Sequence, residues 1–158
     1  VKIGVISDTH LSGYDDRLRR LLDNHFNDVS LILHAGDLVD IRVLDSFAGK
    51  EVKAVCGNMD TQSVRQSLPD RLIINLHNYR IGIIHGWGMP FGIEKKLLRE
   101  IGRVDCLVYG HTHRAANEVR DGILFFNPGS ATDKRFASRN TIGILEVGEK
   151  IDGKIIEL

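Results

Sequence analysis

Apolar residues in this chain come in short runs, and six of them stop abruptly at polar residues that carry chemistry. Lys2-Ile3-Gly4-Val5-Ile6 runs into Ser7-Asp8-Thr9-His10, Leu31-Ile32-Leu33 into His34-Ala35-Gly36-Asp37, and Ala54-Val55-Cys56 into Gly57-Asn58-Met59-Asp60. Ile81-Gly82-Ile83-Ile84 runs into His85-Gly86, Leu107-Val108-Tyr109 into Gly110-His111-Thr112-His113, and Ile123-Leu124-Phe125-Phe126 into Asn127-Pro128-Gly129-Ser130. Apolar runs of this length bounded by such residues read as strands. After the first, Leu18, Leu21, Leu22 and Phe26 recur at helical spacing, which predicts a helix over 14–26 capped by Asp15 or Asp16. Strands follow over 29–33 and 52–56, separated by a short helix near 41–47 that Gly49 stops. This βαβαβ order favours parallel pairing.

Further along the character changes. Segments 71–76 and 79–84 flank His77-Asn78 as a hairpin. An amphipathic helix over 93–101 turns Leu97, Leu98 and Ile101 inward, and a strand over 104–109 follows. The tail is all β: 115–119 and 123–126 around Arg120-Asp121-Gly122, then 141–147 and 154–158 around Asp152-Gly153. Two sets of three motif-ending strands predict two sheets facing each other with helices outside. No linker or low-complexity stretch divides residues 1–158, so a single domain is expected.

Composition narrows the function classes. Lys+Arg and Asp+Glu are 21 each, so no overall field recruits nucleic acid or an anionic membrane. Small substrates are therefore expected ahead of a polynucleotide. Cys56 and Cys106 lie among apolar neighbours outside any CxxC-type spacing, and buried reduced thiols are expected. No apolar stretch reaches membrane-spanning length, and the chain opens on a strand rather than a leader; a cytoplasmic setting and no membrane partner are the expectations.

The residues at the strand ends are metal donors. Open α/β sheets gather ligands at the carboxyl ends of their strands. Asp8 and His10 are two apart, as are His111 and His113, and in extended chain each pair points to one face, about 6–7 Å apart. Asp37 stands alone, and a carboxylate can give one oxygen to each of two ions. Asn58 adds a neutral amide oxygen and His85 an imidazole. Seven donors from five strand ends point to two ions rather than one. Two divalent ions against two carboxylates and a bridging hydroxide leave a net positive charge that attracts an anionic ester. Oxygen and nitrogen donors without thiolate keep Mn²⁺, Fe²⁺, Co²⁺, Ni²⁺ and Zn²⁺ open. His25, at a helix end, and His77, in a turn, read as structural, and His34 as a support or core residue.

Taken in order, Asp8-Thr9-His10, Gly36-Asp37, Gly57-Asn58, His85-Gly86 and Gly110-His111-Thr112-His113 resemble the calcineurin-like metallophosphoesterase superfamily. The short length and Asn127-Pro128-Gly129-Ser130 are similar to its small YfcE-type phosphodiesterase branch. The resemblance runs from Lys2 to the end of the chain. It implies an α+β fold, a four-layer α/β/β/α sandwich of two mixed sheets packed face to face. It implies that Asp8, His10, Asp37 and His113 hold one ion and Asp37, Asn58, His85 and His111 the other. Manganese is the first expectation for both; relatives form dimers and tetramers, and the sequence leaves the oligomeric state open. The implied reaction is hydrolysis of a small phosphodiester by a hydroxide shared between the ions, with Asp37 and Asn58 catalytic and Asn58 touching substrate; Arg114, just after the last histidine, reads as a substrate neighbour or as a solvent-exposed side chain. Many members carry a histidine after Gly-Asn, thought to protonate the leaving group or steady the transition state; Met59 stands there and has no proton to give. Asp60 then reads as a cap or turn residue, Asn127 as a loop buttress, and Ser130 as a turn former or a neighbour of substrate. The segment Trp87–Phe91 reads as a pocket wall or as packing on the sheet.

Three rival readings fit the sequence less well. A protein-contact scaffold of the same fold, like the retromer subunit that resembles this family, is expected to lose ligands, yet every ligand position is filled. A phosphatase using Asp8 as nucleophile wants a carboxylate at position 10, where His10 stands. A nuclease shares the chemistry but lacks a basic tract.

Overall fold

The computed structural model describes residues 1–158. Ten strands form two five-stranded sheets. The first sheet contains β1 (Lys2–Ile6), β2 (Leu31–His34), β3 (Val52–Ala54), β9 (Thr141–Val147) and β10 (Ile151–Glu157), in the order β10-β9-β1-β2-β3. The second contains β4 (Arg71–Leu76), β5 (Tyr79–Ile84), β6 (Cys106–Tyr109), β7 (Ala116–Arg120) and β8 (Ile123–Asn127), in the order β4-β5-β6-β8-β7. Strands β1, β2 and β3 are parallel, as are β5, β6 and β8. The remaining pairings are antiparallel, so both sheets are mixed.

Alternation along the strands builds three apolar layers. On β1, Ile3 and Val5 point between the sheets, where they meet Ile81, Ile83, Cys106, Val108 and Phe126. Ile6, Ile32, Ile142 and Ile144 face the other way, against Leu18, Leu22 and Phe26 of the first helix and its C-cap. Leu107, Phe125 and Ile84 of the second sheet pack against Ile93, Leu97 and Ile101 of the helix on its outer face. The result is the four-layer sandwich expected. Both cysteines are buried and free.

The helices follow local chemistry. α1 (Asp16–His25) is capped by Asp15, whose carboxylate accepts from the Arg17 and Leu18 amides at 2.8 and 2.9 Å. The segment Ile41–Phe47 is a 3₁₀ helix rather than an α-helix. α2 (Gln62–Ser67) was not anticipated: only Val64 of its residues is buried, so it has no apolar periodicity to read. α3 (Ile93–Ile101) ends at Gly102. The last hairpin turns at Gly148–Lys150 and not at Asp152-Gly153, and Gly153 pairs with Leu145 inside the ladder.

The reason for that glycine lies across the sandwich. The Phe126 ring of β8 fills a groove over Gly143 and Gly153 of the opposite sheet, and a Cβ on Gly153 would stand 2.6 Å from its Cδ2. Gly153→Ala is therefore expected to destabilise by about 1–3 kcal/mol and Phe126→Ala by about 3–5 kcal/mol. Adding Phe126→Leu to the glycine variant should recover part of its loss in urea titrations. Strict additivity would contradict the groove.

Candidate metal centre

All seven donors stand in loops that leave the carboxyl ends of β1, β2, β3, β5 and β6, on one edge of the sandwich. The backbone there is not extended. Asp8, His10, Asp37, His111 and His113 have φ of 53°, 47°, 57°, 68° and 57°, the left-handed region that Asp and His enter more readily than most side chains. This winds each i, i+2 pair tightly. His10 Nε2 lies 3.8 Å from Asp8 Oδ1.

Two carboxylate oxygens hold the cluster together. Asp8 Oδ1 lies 3.2 Å from His113 Nε2 and 3.8 Å from both His10 Nε2 and His85 Nε2. Asp37 Oδ2 lies 3.6 Å from His10 Nε2 and 3.2 Å from His85 Nε2. Donor atoms of Asp8, His10 and His113 lie within 4.8 Å of one another, as do those of Asp8, Asp37 and His85. Asp8 is thus common to both groups, while Asp37 faces an imidazole of each. On the second side, Asn58 Oδ1 lies 3.1 Å from His85 Nε2 and 2.9 Å from His111 Nδ1.

Hydrogen bonds behind the donors decide which atoms are free. His85 Nδ1 lies 2.7 Å from the Ala35 carbonyl and His111 Nε2 lies 2.8 Å from the Gly88 carbonyl, so both must be protonated to donate. That leaves His85 Nε2 and His111 Nδ1 as lone pairs aimed at the Asn58 oxygen. Asp8 Oδ1, fully buried, accepts no hydrogen bond. Lone pairs and a bare carboxylate oxygen turned toward one point suit a cation. Proton affinities show the same demand for positive charge, a proton on His85 Nε2 standing where a cation would. Burial works against the charged form of His85, yet the Asp37 hydrogen bond and the Asp8 and Asp37 charges outweigh it and raise its pKa to about 8. Burial likewise opposes the Asp8 anion, but the neighbouring imidazoles of His10, His113 and His85 hold its pKa below the carboxylate range. The donor set fits divalent ions.

Other residues hold the donor loops. Buried Asp60 accepts from the backbone amides of Asp37, Val39 and Gly57 at 3.1, 2.5 and 2.7 Å, tying the Asp37 loop to the Asn58 loop. Asn127 donates to the Gly110 carbonyl and Thr112 Oγ1, both at 3.0 Å, buttressing the last motif as expected. Ser130 is fully buried, donates to the Asp8 carbonyl at 2.8 Å and accepts from the Asp133 amide. It is a loop anchor and does not reach the site's opening. His34 accepts from the Gly36 amide through Nδ1 and donates through Nε2 to Thr9 Oγ1, 3.1 Å away.

Above the cluster opens a cavity of about 380 Å³, with His10, Asp37, Asn58 and His113 on its floor and Met59, Pro90, Arg114 and Phe136 in its walls. Arg114 stands where a substrate contact was anticipated. The Trp87–Phe91 segment projects from the sheet, with Met89 and Phe91 about three-quarters exposed (73% and 75%). Asp133, Arg135 and Phe136 carried no signal in the sequence, because they lie in an irregular loop without periodicity. Their side chains nonetheless reach the site: Asp133 Oδ2 is 3.9 Å from His10 Nε2, and the Phe136 ring stands edge-on to His113 at 5.2 Å.

Comparison with known proteins bears on the family and the fold. A sequence profile described as the calcineurin-like phosphoesterase superfamily domain matches residues 1–150. A probable metallophosphoesterase of Methanocaldococcus jannaschii is 38% identical over 161 residues, covering 99% of this chain and 81% of that protein. A solved archaeal phosphodiesterase superposes with a TM-score of 0.79 at 26% identity, covering 100% of both chains. Zinc-bound Vps29 of Entamoeba histolytica superposes at 0.74 over 99% of both chains, and at 23% identity that likeness speaks for the fold alone.

Burial makes His34 a pH probe. Desolvation, partly offset by the Asp8 charge, lowers its pKa to about 3. Between that value and the ordinary 6.5 the unfolded chain binds a proton that the folded chain refuses. The contribution of His34 to stability is therefore complete above pH 6.5 and lost as pH falls toward 3. In imidazole ¹⁵N spectra of the chelated protein at about pH 5, His34 should be neutral with its proton on Nε2. A charged ring there would contradict the assignment.

Proposed function

The chain belongs to the calcineurin-like phosphoesterase superfamily, and on that premise we propose that it is a dinuclear metal-dependent phosphodiesterase acting on small esters. The observation that carries the reading is the convergence of Asp8, His10, Asp37, Asn58, His85, His111 and His113 from five loops onto one cluster whose two carboxylates are buried. Similarity to a solved archaeal phosphodiesterase supports the diester as substrate.

In this reading Asp8, His10 and His113 hold one ion, Asn58, His85 and His111 the other, and Asp37 serves both. Divalent ions bound there supply Lewis acidity at the phosphoryl oxygens and lower the pKa of water toward about 7, making it a nucleophile at neutral pH. Manganese is the first candidate, with nickel, cobalt, iron and zinc compatible with the same donors. The chain's own contribution is placement. Asp60 fixes the Asp37 backbone by accepting from its amide, and the Met59 amide fixes the carboxylate, donating to Oδ1 at 2.8 Å, so that Oδ2 faces the cluster. His85 and His111 are locked by carbonyls in the tautomers that leave a lone pair inward. Asn58 stands at the opening, where its amide can also orient a phosphoryl oxygen, and Arg114 brings positive charge to the rim.

No imidazole stands at position 59, and Met59 is 55% exposed on the cavity wall with no proton to donate. Esters whose leaving group departs without protonation should therefore react best. A positioned general acid is worth about 10²–10⁴-fold, and alkyl diesters should lag aryl diesters by more than their intrinsic reactivity explains. Met59→His should raise the alkyl rate about 10-fold or more and change the aryl rate much less. Equal gains on both classes would contradict the missing-acid account. Absence of hydrolysis of any diester by the manganese-loaded protein would contradict the proposal itself. A nuclease finds no support in the balanced charge of the chain.

A further inference from the structure

Two of the cavities that touch the cluster share Asn58 as a wall. The first is the one above the floor of donors, walled by Met59, Arg114, Arg135 and Phe136. The second, about 290 Å³, lies on the other side of Asn58 and is lined by His85, Trp87, Cys56, Arg65 and Arg71. A phosphate with a single organic arm needs one chamber. A phosphorus bearing two arms, seated at Asn58, needs two that diverge from it.

The walls of the chambers differ in charge. In the first, Met59 and Phe136 offer apolar surface, 55% and 67% exposed, beside two guanidinium groups. Arg135 is fixed there by its own neighbour: its Nε donates to Asp133 Oδ2 at 2.7 Å, and Asp133 is tied through Ser130 to the Asp8 carbonyl. Cations beside an apolar wall suit a flat arm whose ester oxygen gathers negative charge as it departs. Arg135 is itself committed to Asp133, while Arg114 pairs with no carboxylate; in the second chamber both guanidinium groups are committed. Arg65 donates to the Asp60 and Asn58 carbonyls at 3.0 and 2.8 Å, and Arg71 faces Glu100 at 3.4 Å. Asp70 accepts from the Cys56 thiol. What this chamber offers is the Trp87 indole, held in place by Lys96, whose ammonium lies 4.6 Å from the ring centroid and donates to the Trp87 carbonyl. That surroundings suit a neutral, flat arm.

Resting on the phosphodiesterase reading, we infer that the centre selects phosphodiesters with two flat organic arms. The departing arm lies between Met59 and Phe136 beside Arg114 and Arg135, and the retained arm lies against Trp87. Trp87 and Arg135 become specificity-determining residues, and neither is a metal donor.

Trp87 is the chain's sole tryptophan, so its emission reports the second chamber directly. Manganese-loaded protein is titrated with dibenzyl phosphate, monobenzyl phosphate and inorganic phosphate, exciting the indole alone. The diester should shift Trp87 emission saturably, and the other two should leave it nearly unmoved. In parallel, kcat/KM is compared for a phenyl aryl and a methyl aryl phosphodiester in wild type and Trp87→Ala. The variant should lose about fivefold more on the phenyl ester than on the methyl ester, the size of one lost aromatic contact. An emission change as large with monoester or phosphate, or equal losses on both esters, would overturn the inference while leaving hydrolysis intact. A diester-specific shift in a protein that hydrolyses no ester would overturn the hydrolytic reading and keep the two-armed site.

Discussion

Two buried carboxylates, Asp8 and Asp37, set the terms for everything around them. A charge withdrawn from water costs several kcal/mol unless it meets opposite charge and hydrogen bonds. Asp8 is fully buried and Asp37 nearly so. Their oxygens face His10, His85 and His113 at 3.2–3.8 Å, and the raised proton affinity of His85 reports the same demand for positive charge. An ion that satisfies this demand binds the folded chain and not the unfolded one, so metal binding and fold stability are linked.

The backbone bears a second cost. Five of the seven donors sit in the left-handed region, which disfavours side chains by about 1–2 kcal/mol each. Val39, β-branched, shares that conformation at φ 79°. Such strain persists only where the surroundings over-determine it. Here they do: Asp60 clamps the Asp37 and Asn58 loops, Ser130 ties down Asp8, Asn127 braces the last motif, and neutral His34 links Thr9 to Gly36. These loops issue from strands packed on both faces, three of them parallel in each sheet. Rigid strands beneath and hydrogen-bonded loops above turn seven scattered residues into one site.

Much of this was legible in the sequence, for identifiable reasons. Strand runs ending in donors, the helix over Leu18–Phe26 and the two-sheet sandwich all follow from apolar periodicity, which burial enforces. The donors were legible because metals demand particular side chains. The left-handed winding was not, since Asp-Thr-His reads equally well as extended chain. α2 escaped because Val64 is its only buried side chain. The last turn was misplaced because Asp152-Gly153 has turn chemistry, whereas Gly153 is small to admit Phe126 from the opposite sheet. Asp133, Arg135 and Phe136 reach the site through tertiary contact alone, and Asp60, read as a turn residue, proved to be the clamp on Asp37.

The central claim is that Asp37 joins two cation sites that share one cluster. Counting ions tests it most directly: chelated protein and its Asp37→Asn variant are titrated with Mn²⁺ by calorimetry, with bound metal quantified independently. The account predicts two ions per wild-type chain, with the variant losing at least one and binding the remainder more weakly. A wild-type chain that saturates at one ion, or a variant that still binds two as tightly, would contradict it.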